Sequence, residues 1–285
     1  MVMLDMVART KRYANDDLVV AHFDHGIRQN SREDAEFVRR KATEYGLEFQ
    51  CERAELGKNA SEAAAREQRY DFLRRLANEK DDGRGVEIWT AHHLDDLVET
   101  VTINFWRGTG WRGLASLDAH GVRRPFLETE LIYEPMDKAA IFEYAAKRRL
   151  EYREDPSNSW DDYLRNRLRQ QLNENPLDFE QKMAIYQLWQ RQKQLKKELD
   201  QTVNSLLPEA KEKWEREWFR ALNDNQLARS VAMELLRAGT IRAGVSATRP
   251  QLENFRRAIL EYLPGKTFNL PGDKLVKLTK AGFEL

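Results

Sequence analysis

Two short apolar runs, rich in β-branched and aromatic residues, constrain the fold of this chain more than any other feature. They lie at residues 17–23 (DLVVAHF) and 86–93 (VEIWTAHH), and helical patterns occupy the sequence between them. Buried parallel strands joined by helical crossovers have this arrangement. The first half of the chain is therefore predicted to be α/β.

A helix is predicted to begin near Leu94, directly after the second apolar run. Its apolar residues recur at helical spacing and predict one face that packs on the sheet. These residues are Leu94, Val98, Val101 and Phe105.

From about residue 135 the sequence consists almost entirely of helical patterns. Near the end of the chain, Pro271-Gly272-Asp273 lies between two β-rich runs and predicts a hairpin. We therefore predict two domains: residues 1–172, and a mainly helical domain at 173–285 that ends in a β hairpin.

Composition excludes several classes of protein. Cys51 is the only cysteine, which rules out an intrachain disulfide and a zinc site built from cysteines. The 47 basic and 47 acidic residues cancel, so nucleic-acid binding would depend on local patches. No stretch approaches the roughly 18 apolar residues of a membrane span. A soluble cytoplasmic protein without membrane association is expected.

Titratable residues follow both predicted strands, within AHFDH (21–25) and AHHLDD (91–96). Ligands of open α/β sheets bind beyond the carboxyl ends of the strands, so the two groups are expected to converge. His92 and Asp96 stand four residues apart and could bind a catalytic metal, as in a two-metal phosphoesterase. Alternatively, Asp95 and Asp96 could cap the following helix.

Two arginine-containing segments lie further along the chain. In FWRGTGWRGL (105–114) glycines alternate with arginines, which fits either anion binding or an ordinary turn. In YLRNRLRQQL (163–172) Arg165 and Arg169 share a helix face, while Arg167 points elsewhere. That segment is either a solvated helix or a surface for RNA phosphates.

Six motifs follow one another along the first part of the chain: AHFDHGIR, SREDAEFV, SEAAAREQRYDFL, AHHLDDLVETVTINFWRGTGWRGL, RRPFL and EDPSNSWDDYLRNRLR. Together they resemble the tRNA(Ile)-lysidine synthetases of the N-type ATP pyrophosphatase (PP-loop) superfamily. The resemblance covers about residues 18–172 and implies a doubly wound parallel sheet. The remainder resembles a tRNA-recognition domain only loosely.

The resemblance implies an ATP-dependent carbon–nitrogen ligase. Enzymes of this family adenylate the C2 oxygen of the wobble cytidine in the CAU anticodon of tRNA(Ile), releasing pyrophosphate. The ε-amine of free lysine then displaces AMP and forms lysidine. The expected ligands are ATP, Mg²⁺, lysine and this tRNA, and a homodimer is compatible with the superfamily.

The resemblance also implies roles for individual residues. The catalytic residues are expected to be His92, Asp95 and Asp96, with Asp96 also binding Mg²⁺. The nucleotide is expected to contact Ala21, His22, Phe23, Asp24, His25, Arg107, Gly108 and Gly110. The tRNA is expected to contact Arg112, Arg124, Arg165, Asn166, Arg167 and Arg169.

The opening of the sequence departs from the family pattern. The family's pyrophosphate loop, of the form SGGxDS, should precede MVMLDMV, where this sequence begins. MVMLDMV itself has the pattern of a crossover helix, which should follow a strand and a turn. The chain is therefore expected to be N-terminally truncated, lacking its first strand, and to be impaired in ATP binding and ligation.

Other functions stay open from the residues alone. A PP-loop tRNA thiolase is disfavoured because sulfur transfer commonly uses paired cysteines. A non-catalytic tRNA-binding protein with a degenerate ATP site would bind tRNA with strong salt dependence. A metal-dependent phosphoesterase would need neither ATP nor lysine.

Overall fold

The computed structural model describes residues 1–26, 31–54, 62–119, 121–128, 132–153, 163–207, 214–222, 226–261 and 265–284. These residues form two compact units, 1–193 and 194–285. The division falls inside a long helix, α8 (Phe179–Leu206), whereas the sequence placed the domain boundary at residue 172. Arg28 and most of the EDPSNSWDD motif lie outside the described residues.

The first unit alternates helices and short strands. In chain order its elements are α1 (Val2–Thr10), β1 (Val19–Asp24), α2 (Ser31–Glu44), β2 (Glu48–Arg53), α3 (Glu62–Lys80), β3 (Ile88–Trp89), α4 (Leu94–Trp106), α5 (Gly110–Leu114), β4 (Val122–Arg123), α6 (Lys138–Arg148), α7 (Tyr163–Glu174) and the first part of α8. The predicted α/β class and the predicted start of α4 at Leu94 are confirmed.

The parallel strands form two separate pairs within the described residues. β1 pairs with β2, with Val19 opposite Glu48, and β3 pairs with β4, with Ile88 opposite Val122. The predicted parallel pairing with helical crossovers is therefore found, but one continuous doubly wound sheet is not found among the described residues. β2 was not predicted, because the charged residues at three of its six positions give it no apolar run.

One apolar face of α4 forms the centre of a buried cluster in the first unit. Leu94, Leu97 and Val101 pack with Leu127 and with two aromatic residues of α8. The aromatic residues also donate hydrogen bonds: Tyr186 Oη to Leu127 O at 2.7 Å and Trp189 Nε1 to Ser116 O at 2.7 Å. Burial of this face was predicted, but its expected fourth member, Phe105, is 71% exposed because the helix extends past the core.

A buried carboxylate attaches α1 to the rest of the first unit. Asp5 is 0% exposed, and its oxygens accept hydrogen bonds from Tyr45 Oη at 2.5 Å, Tyr144 Oη at 2.8 Å and Arg9 Nε at 2.7 Å. Burial alone would raise the pKa of Asp5, but these hydrogen bonds outweigh burial and lower it. Asp5 is thus a charged group held in the interior by three donors.

The second unit is mainly helical with short strands. Its elements after α8 are β5 (Trp214–Glu215), α9 (Arg216–Ala221), α10 (Gln226–Arg242), α11 (Arg249–Glu261), β6 (Thr267–Leu270), β7 (Lys274–Lys277) and β8 (Gly282–Phe283). β6 and β7 are antiparallel and flank Pro271-Gly272-Asp273. The hairpin is not the last element, because β8 follows it and pairs with β5.

An aromatic core stabilises the second unit. Trp214, Phe219, Phe255 and Phe283 are each at most 1% exposed and lie in ring contact around Phe283. In the part of the chain that the structure describes, every helix is too short or too polar to span a bilayer.

Candidate anion site at the start of helix α4

Asp96 closes the first turn of α4. Its Oδ2 accepts a hydrogen bond from the backbone N–H of His93 at 3.0 Å, and His93 Nε2 lies 3.5 Å from the same oxygen. A carboxylate in the first turn that bonds back to the preceding backbone is one half of a capping box. The capping interpretation that the sequence left open is therefore correct for Asp96.

Asp95 is held by a neighbouring helix and by a lysine of α8. Its Oδ2 accepts a hydrogen bond from the Lys138 backbone N–H at 2.7 Å, and Lys182 Nζ lies 2.9 Å from its Oδ1. Lys182 Nζ also contacts Asp137 Oδ2 at 2.8 Å, and Asp137 caps α6 through the Ala140 N–H. The two carboxylates that adjoin His92 and His93 in sequence thus both have structural partners.

His92 lies just before α4 and is mostly neutral at pH 7. Burial, together with the smaller effects of Arg124, Arg66 and Arg69, lowers its pKa to about 4 against the opposing effect of Asp96. His92 Nδ1 lies 2.9 Å from Thr90 Oγ1, so the hydroxyl fixes the orientation of the ring. A neutral imidazole surrounded by cations can hydrogen-bond an anion without adding charge of its own.

Arg124 is buried with much of its hydrogen-bonding capacity unused. It is 3% exposed, and its Nη1 donates to Val122 O at 3.3 Å. Nε and Nη2 are buried and have no acceptor among the described residues. Burial lowers the pKa of this guanidinium. A buried cation with unsatisfied donors is costly unless a ligand supplies acceptors.

Two arginines of α3 bring more positive charge to the same place. The Arg66 and Arg69 guanidiniums lie 4.8 Å and 5.6 Å from the centre of the Tyr70 ring, and both act electrostatically on His92. Sequence analysis treated this segment only as a helix and missed both residues. Their spacing of three along a helix, which puts side chains on one face, was the available signal. We call Arg66, Arg69, His92 and Arg124 the basic cluster.

Several residues at the carboxyl end of β1 have partners within the protein. Asp24 is buried; its Oδ1 accepts from the Gly26 N–H at 2.9 Å, and Arg53 Nη1 lies 3.7 Å from its Oδ2. Phe23 packs edge-to-face with His25 at 4.9 Å. Burial lowers the pKa of His22. In the described structure only one edge of β1, which includes Ala21, is paired with a strand.

The arginine and glycine segment after α4 is a short connection followed by helix α5, and Asn104 holds it in place. Thr109 N–H and Thr109 Oγ1 donate to Asn104 O at 3.2 Å and 3.0 Å, and Asn104 Nδ2 donates to Gly113 O at 2.8 Å. Gly108 and Gly110 have φ values of 63° and 72°, which favour glycine. Arg107 caps the end of α4, and the Arg112 guanidinium lies 4.5 Å from the Trp111 ring.

The arginines of α7 divide between an internal partner and solvent. Arg169 Nε lies 3.0 Å from Glu99 Oε1, and Arg165 Nε lies 3.6 Å from Glu99 Oε2, so both side chains point towards α4 as their shared face predicted. Arg167 is exposed. The side chain of Asn166 lies outside the described residues. Of the three arginines of α7 that were expected to meet tRNA, two form ion pairs with Glu99.

Among the described residues, no group of three or more His, Cys, Asp or Glu side chains is arranged to hold a metal ion. Asp96 alone fits a more limited role. Mg²⁺ at nucleotide sites commonly takes one or two protein carboxylates and completes its shell with phosphates and water. Asp96 could supply one such oxygen, since its side chain is 35% exposed.

Known sequences and structures resemble this chain over part of its length. A profile for the PP-loop domain matches residues 1–175. The tRNA(Ile)-lysidine synthase of Persephonella marina is 35% identical over 55% of this chain and 34% of its own length. The enzyme of that name from Enterococcus faecalis is 31% identical over 75% of this chain and 47% of its own length. The one from Thermotoga maritima is 35% identical over 54% of this chain and 37% of its own length. The chain thus spans less than half the length of these relatives.

The fold also matches a solved structure. The U34-tRNA thiolase NcsA from Methanococcus maripaludis, determined with its 4Fe-4S cluster, aligns with a TM-score of 0.50 over 67% of each chain. Sequence identity is 18%, so the match concerns the fold alone.

Proposed function

The chain belongs to the PP-loop domain family, and on that premise we propose that it is an ATP-dependent ligase that modifies tRNA. The proposed substrate is tRNA(Ile) with a CAU anticodon, and the proposed product carries lysine on C2 of the wobble cytidine. Similarity to three curated tRNA(Ile)-lysidine synthases supports this assignment. ATP would supply the adenylyl group, with AMP and pyrophosphate as products.

The observation that carries the proposal is the basic cluster. Arg66, Arg69 and Arg124 act electrostatically on His92, just before α4, and Arg124 has two buried donor atoms without acceptors among the described residues. Arginine forks match the geometry of phosphate oxygens, and the N-terminus of α4 adds a favourable dipole. A phosphate in this position would satisfy the donors that the protein leaves unsatisfied.

The residues of the basic cluster have distinct roles in this mechanism. As the cytidine C2 oxygen attacks the α-phosphorus and pyrophosphate leaves, Arg66, Arg69 and Arg124 stabilise charge on the phosphate oxygens. His92 is neutral before the anion binds, so it acts as a hydrogen-bonding group. The bound anion favours imidazolium and raises the pKa of His92. The lysine amine then forms the bond to C2 as AMP leaves.

Asp95 and Asp96 have mainly positioning roles in this proposal. Asp96 holds the first turn of α4, and Asp95 joins α4 to α6 and α8. Asp96 could also supply one oxygen to Mg²⁺, which would offset charge on the phosphates. The sequence predicted a catalytic role for Asp95; in this proposal the basic cluster has that role instead.

The nucleoside and tRNA would occupy neighbouring surfaces. We place the adenosine along the open edge of β1, where Ala21, His22 and Phe23 offer backbone groups. Arg167 is exposed and would meet tRNA phosphates, each adding about 0.7 to 0.9 to the salt slope of binding.

The test is ATP-dependent incorporation of labelled lysine into a CAU-containing tRNA(Ile) transcript. Arg66→Met should reduce incorporation about tenfold or more, because Arg66 acts on His92. Arg74→Met is the matched control: Arg74 is also an exposed arginine of α3 against the Tyr70 ring, at 5.7 Å, but it pairs with Asp71. Arg74→Met should leave incorporation close to that of the unmodified chain.

The assay includes this chain alone and the chain joined to a segment of the SGGxDS form. Equal activity of Arg66→Met and Arg74→Met would remove the basic cluster from the mechanism. If neither form incorporates lysine while both bind the tRNA, the protein is a tRNA-binding protein and the ligase assignment fails. Phosphodiester hydrolysis without ATP or lysine would support the phosphoesterase instead.

A further inference from the structure

The end of α4 exposes aromatic side chains that the helix pattern would place inside. Phe105 continues the apolar face formed by Leu94, Leu97 and Val101, yet it is 71% exposed, and Trp106 is 44% exposed. Residues 105–110 are exposed without interruption. Large adjacent aromatic residues on a protein surface mark interaction sites more often than single exposed apolar residues do.

The sequence around these aromatic residues is basic. Between Thr100 and Asp118 the sequence contains Arg107 and Arg112 and no acidic residue. The Arg112 guanidinium lies 4.5 Å from the centre of the neighbouring Trp111 ring. Arginines attract negatively charged partners, and aromatic rings favour partners that can stack on them. A nucleic acid has both properties, whereas an acidic protein surface without stacking groups has only the first.

The segment that follows this surface is held against the end of α4. Asn104 bonds to Thr109 and to the carbonyl oxygen of Gly113, and so joins α4 to α5. A Cβ at Gly113 would lie 1.8 Å from Thr109 Oγ1, so the close approach requires glycine. A surface already ordered in the free protein loses less conformational entropy when it binds.

We propose that Phe105, Trp106 and Arg107 form a stacking surface for unpaired RNA nucleotides. Aromatic faces bind bases that have left a helix, while arginine contacts the adjoining phosphates. Duplex RNA hides its base faces, so it would meet only the arginine. A second copy of this chain would need a broader apolar surface than the polar residues Thr109 and Arg107 permit.

This inference deepens the proposed function, on which it rests, by naming where the loop of the tRNA would stack. The experiment measures the affinity of the full chain for a stem–loop RNA with the CAU anticodon and for a fully paired RNA of equal length. Phe105→Ser should weaken stem–loop binding about tenfold and leave duplex binding unchanged. Phe142→Ser is the control, because Phe142 is an exposed aromatic residue of α6, at 41%.

Thermal unfolding and lysine incorporation are measured on the same variants. Unchanged stem–loop affinity in Phe105→Ser, or equal weakening for both RNAs, would overturn the stacking surface. A change in sedimentation instead of RNA affinity would show that a second copy covers it. Selective loss of stem–loop binding without lysine incorporation by any form would keep the stacking surface and reject the ligase.

Discussion

Lys182 Nζ lies 2.9 Å from Asp95 Oδ1 and 2.8 Å from Asp137 Oδ2, so one ammonium group of α8 joins the starts of α4 and α6. Burial would lower the pKa of Lys182, but hydrogen bonds to the two carboxylates outweigh it and raise the pKa. The side chains of Lys182, Asp95 and Asp137 are 16%, 30% and 12% exposed, so this triad is less exposed than a surface ion pair but not fully buried. The site that contains His92 therefore depends on a residue from a distant part of the sequence.

Lys182→Met should lower the free energy of unfolding by about 2 kcal/mol, because it leaves two neighbouring carboxylates without their shared cation. Urea denaturation at neutral pH measures the loss. Lys80→Met is the control: Lys80 lies 2.7 Å from Glu48, but the two side chains are 39% and 41% exposed. The control should change stability by no more than about 0.5 kcal/mol. Equal effects of the two variants would contradict the triad.

His92 should titrate in the free protein far below an ordinary histidine. Its pKa is lowered from 6.5 to about 4, so the native state resists protonation that the unfolded chain accepts. Stability from this group is fully present above pH 6.5 and declines as the pH falls towards about 4. NMR titration, assigned with His92→Gln, measures this pKa with and without ATP. A pKa of His92 near 6.5 in the free protein would contradict the burial of this residue. If the pKa of His92 did not rise when ATP was added, His92 would not contact the bound anion.

Asp5→Asn should destabilise the first unit by about 3 kcal/mol, because it removes the buried charge that Tyr45, Tyr144 and Arg9 stabilise. The pKa of Asp5 is lowered, so its contribution is present above pH 3.8 and is lost as the pH falls through the native pKa. Chemical denaturation from pH 3 to pH 7 tests both points. Asp16→Asn, at an exposed aspartate, should be close to neutral. A variant at Asp5 with unchanged acid sensitivity would contradict this account.

Gly282→Ala should separate β5 from β8 in the second unit. An added Cβ would lie 1.9 Å from Trp214 O, which the backbone can relieve only by moving, at a cost of about 2–3 kcal/mol. Gly265→Ala is the comparison, because a Cβ there meets nothing within 4 Å and only its φ of +94° is unfavourable. Tryptophan fluorescence during urea unfolding measures both. A smaller loss at Gly282 than at Gly265 would contradict the close contact.

The sequence predicted those parts of the fold that local pattern determines. The start of α4, the helices that predominate after about residue 135 and the parallel pairing that follows from helical crossovers all have a clear period or length. β2 lacked such a signal because charged residues interrupt it. Its glutamates are tolerated there because they pair with side chains of α3, such as Arg75 and Lys80. Phe105 misled the prediction because periodicity shows which face a residue shares and not where the core ends.

The site was predictable in location but not in the roles of its residues. Strand ends identified His92, Asp95 and Asp96, whereas the partners of Asp95 come from α6 and α8, far along the chain. Arg66 and Arg69 were missed because an arginine on a helix usually faces solvent. Their significance depends on their electrostatic action on His92, which belongs to a different part of the chain and is not visible in the pattern of α3 alone.

The Asp5 hydrogen bonds also bear on how the protein is made. Tyr45 and Tyr144 lie 40 and 139 residues beyond Asp5 in the sequence, and α1 leaves the ribosome before either of them. Closing so long a loop costs entropy that only the finished contacts repay. During synthesis the Asp5 carboxylate therefore lacks its Tyr144 donor until α6 has emerged. The helix nearest the start of this sequence thus depends on a much later helix of its unit to complete its buried contacts.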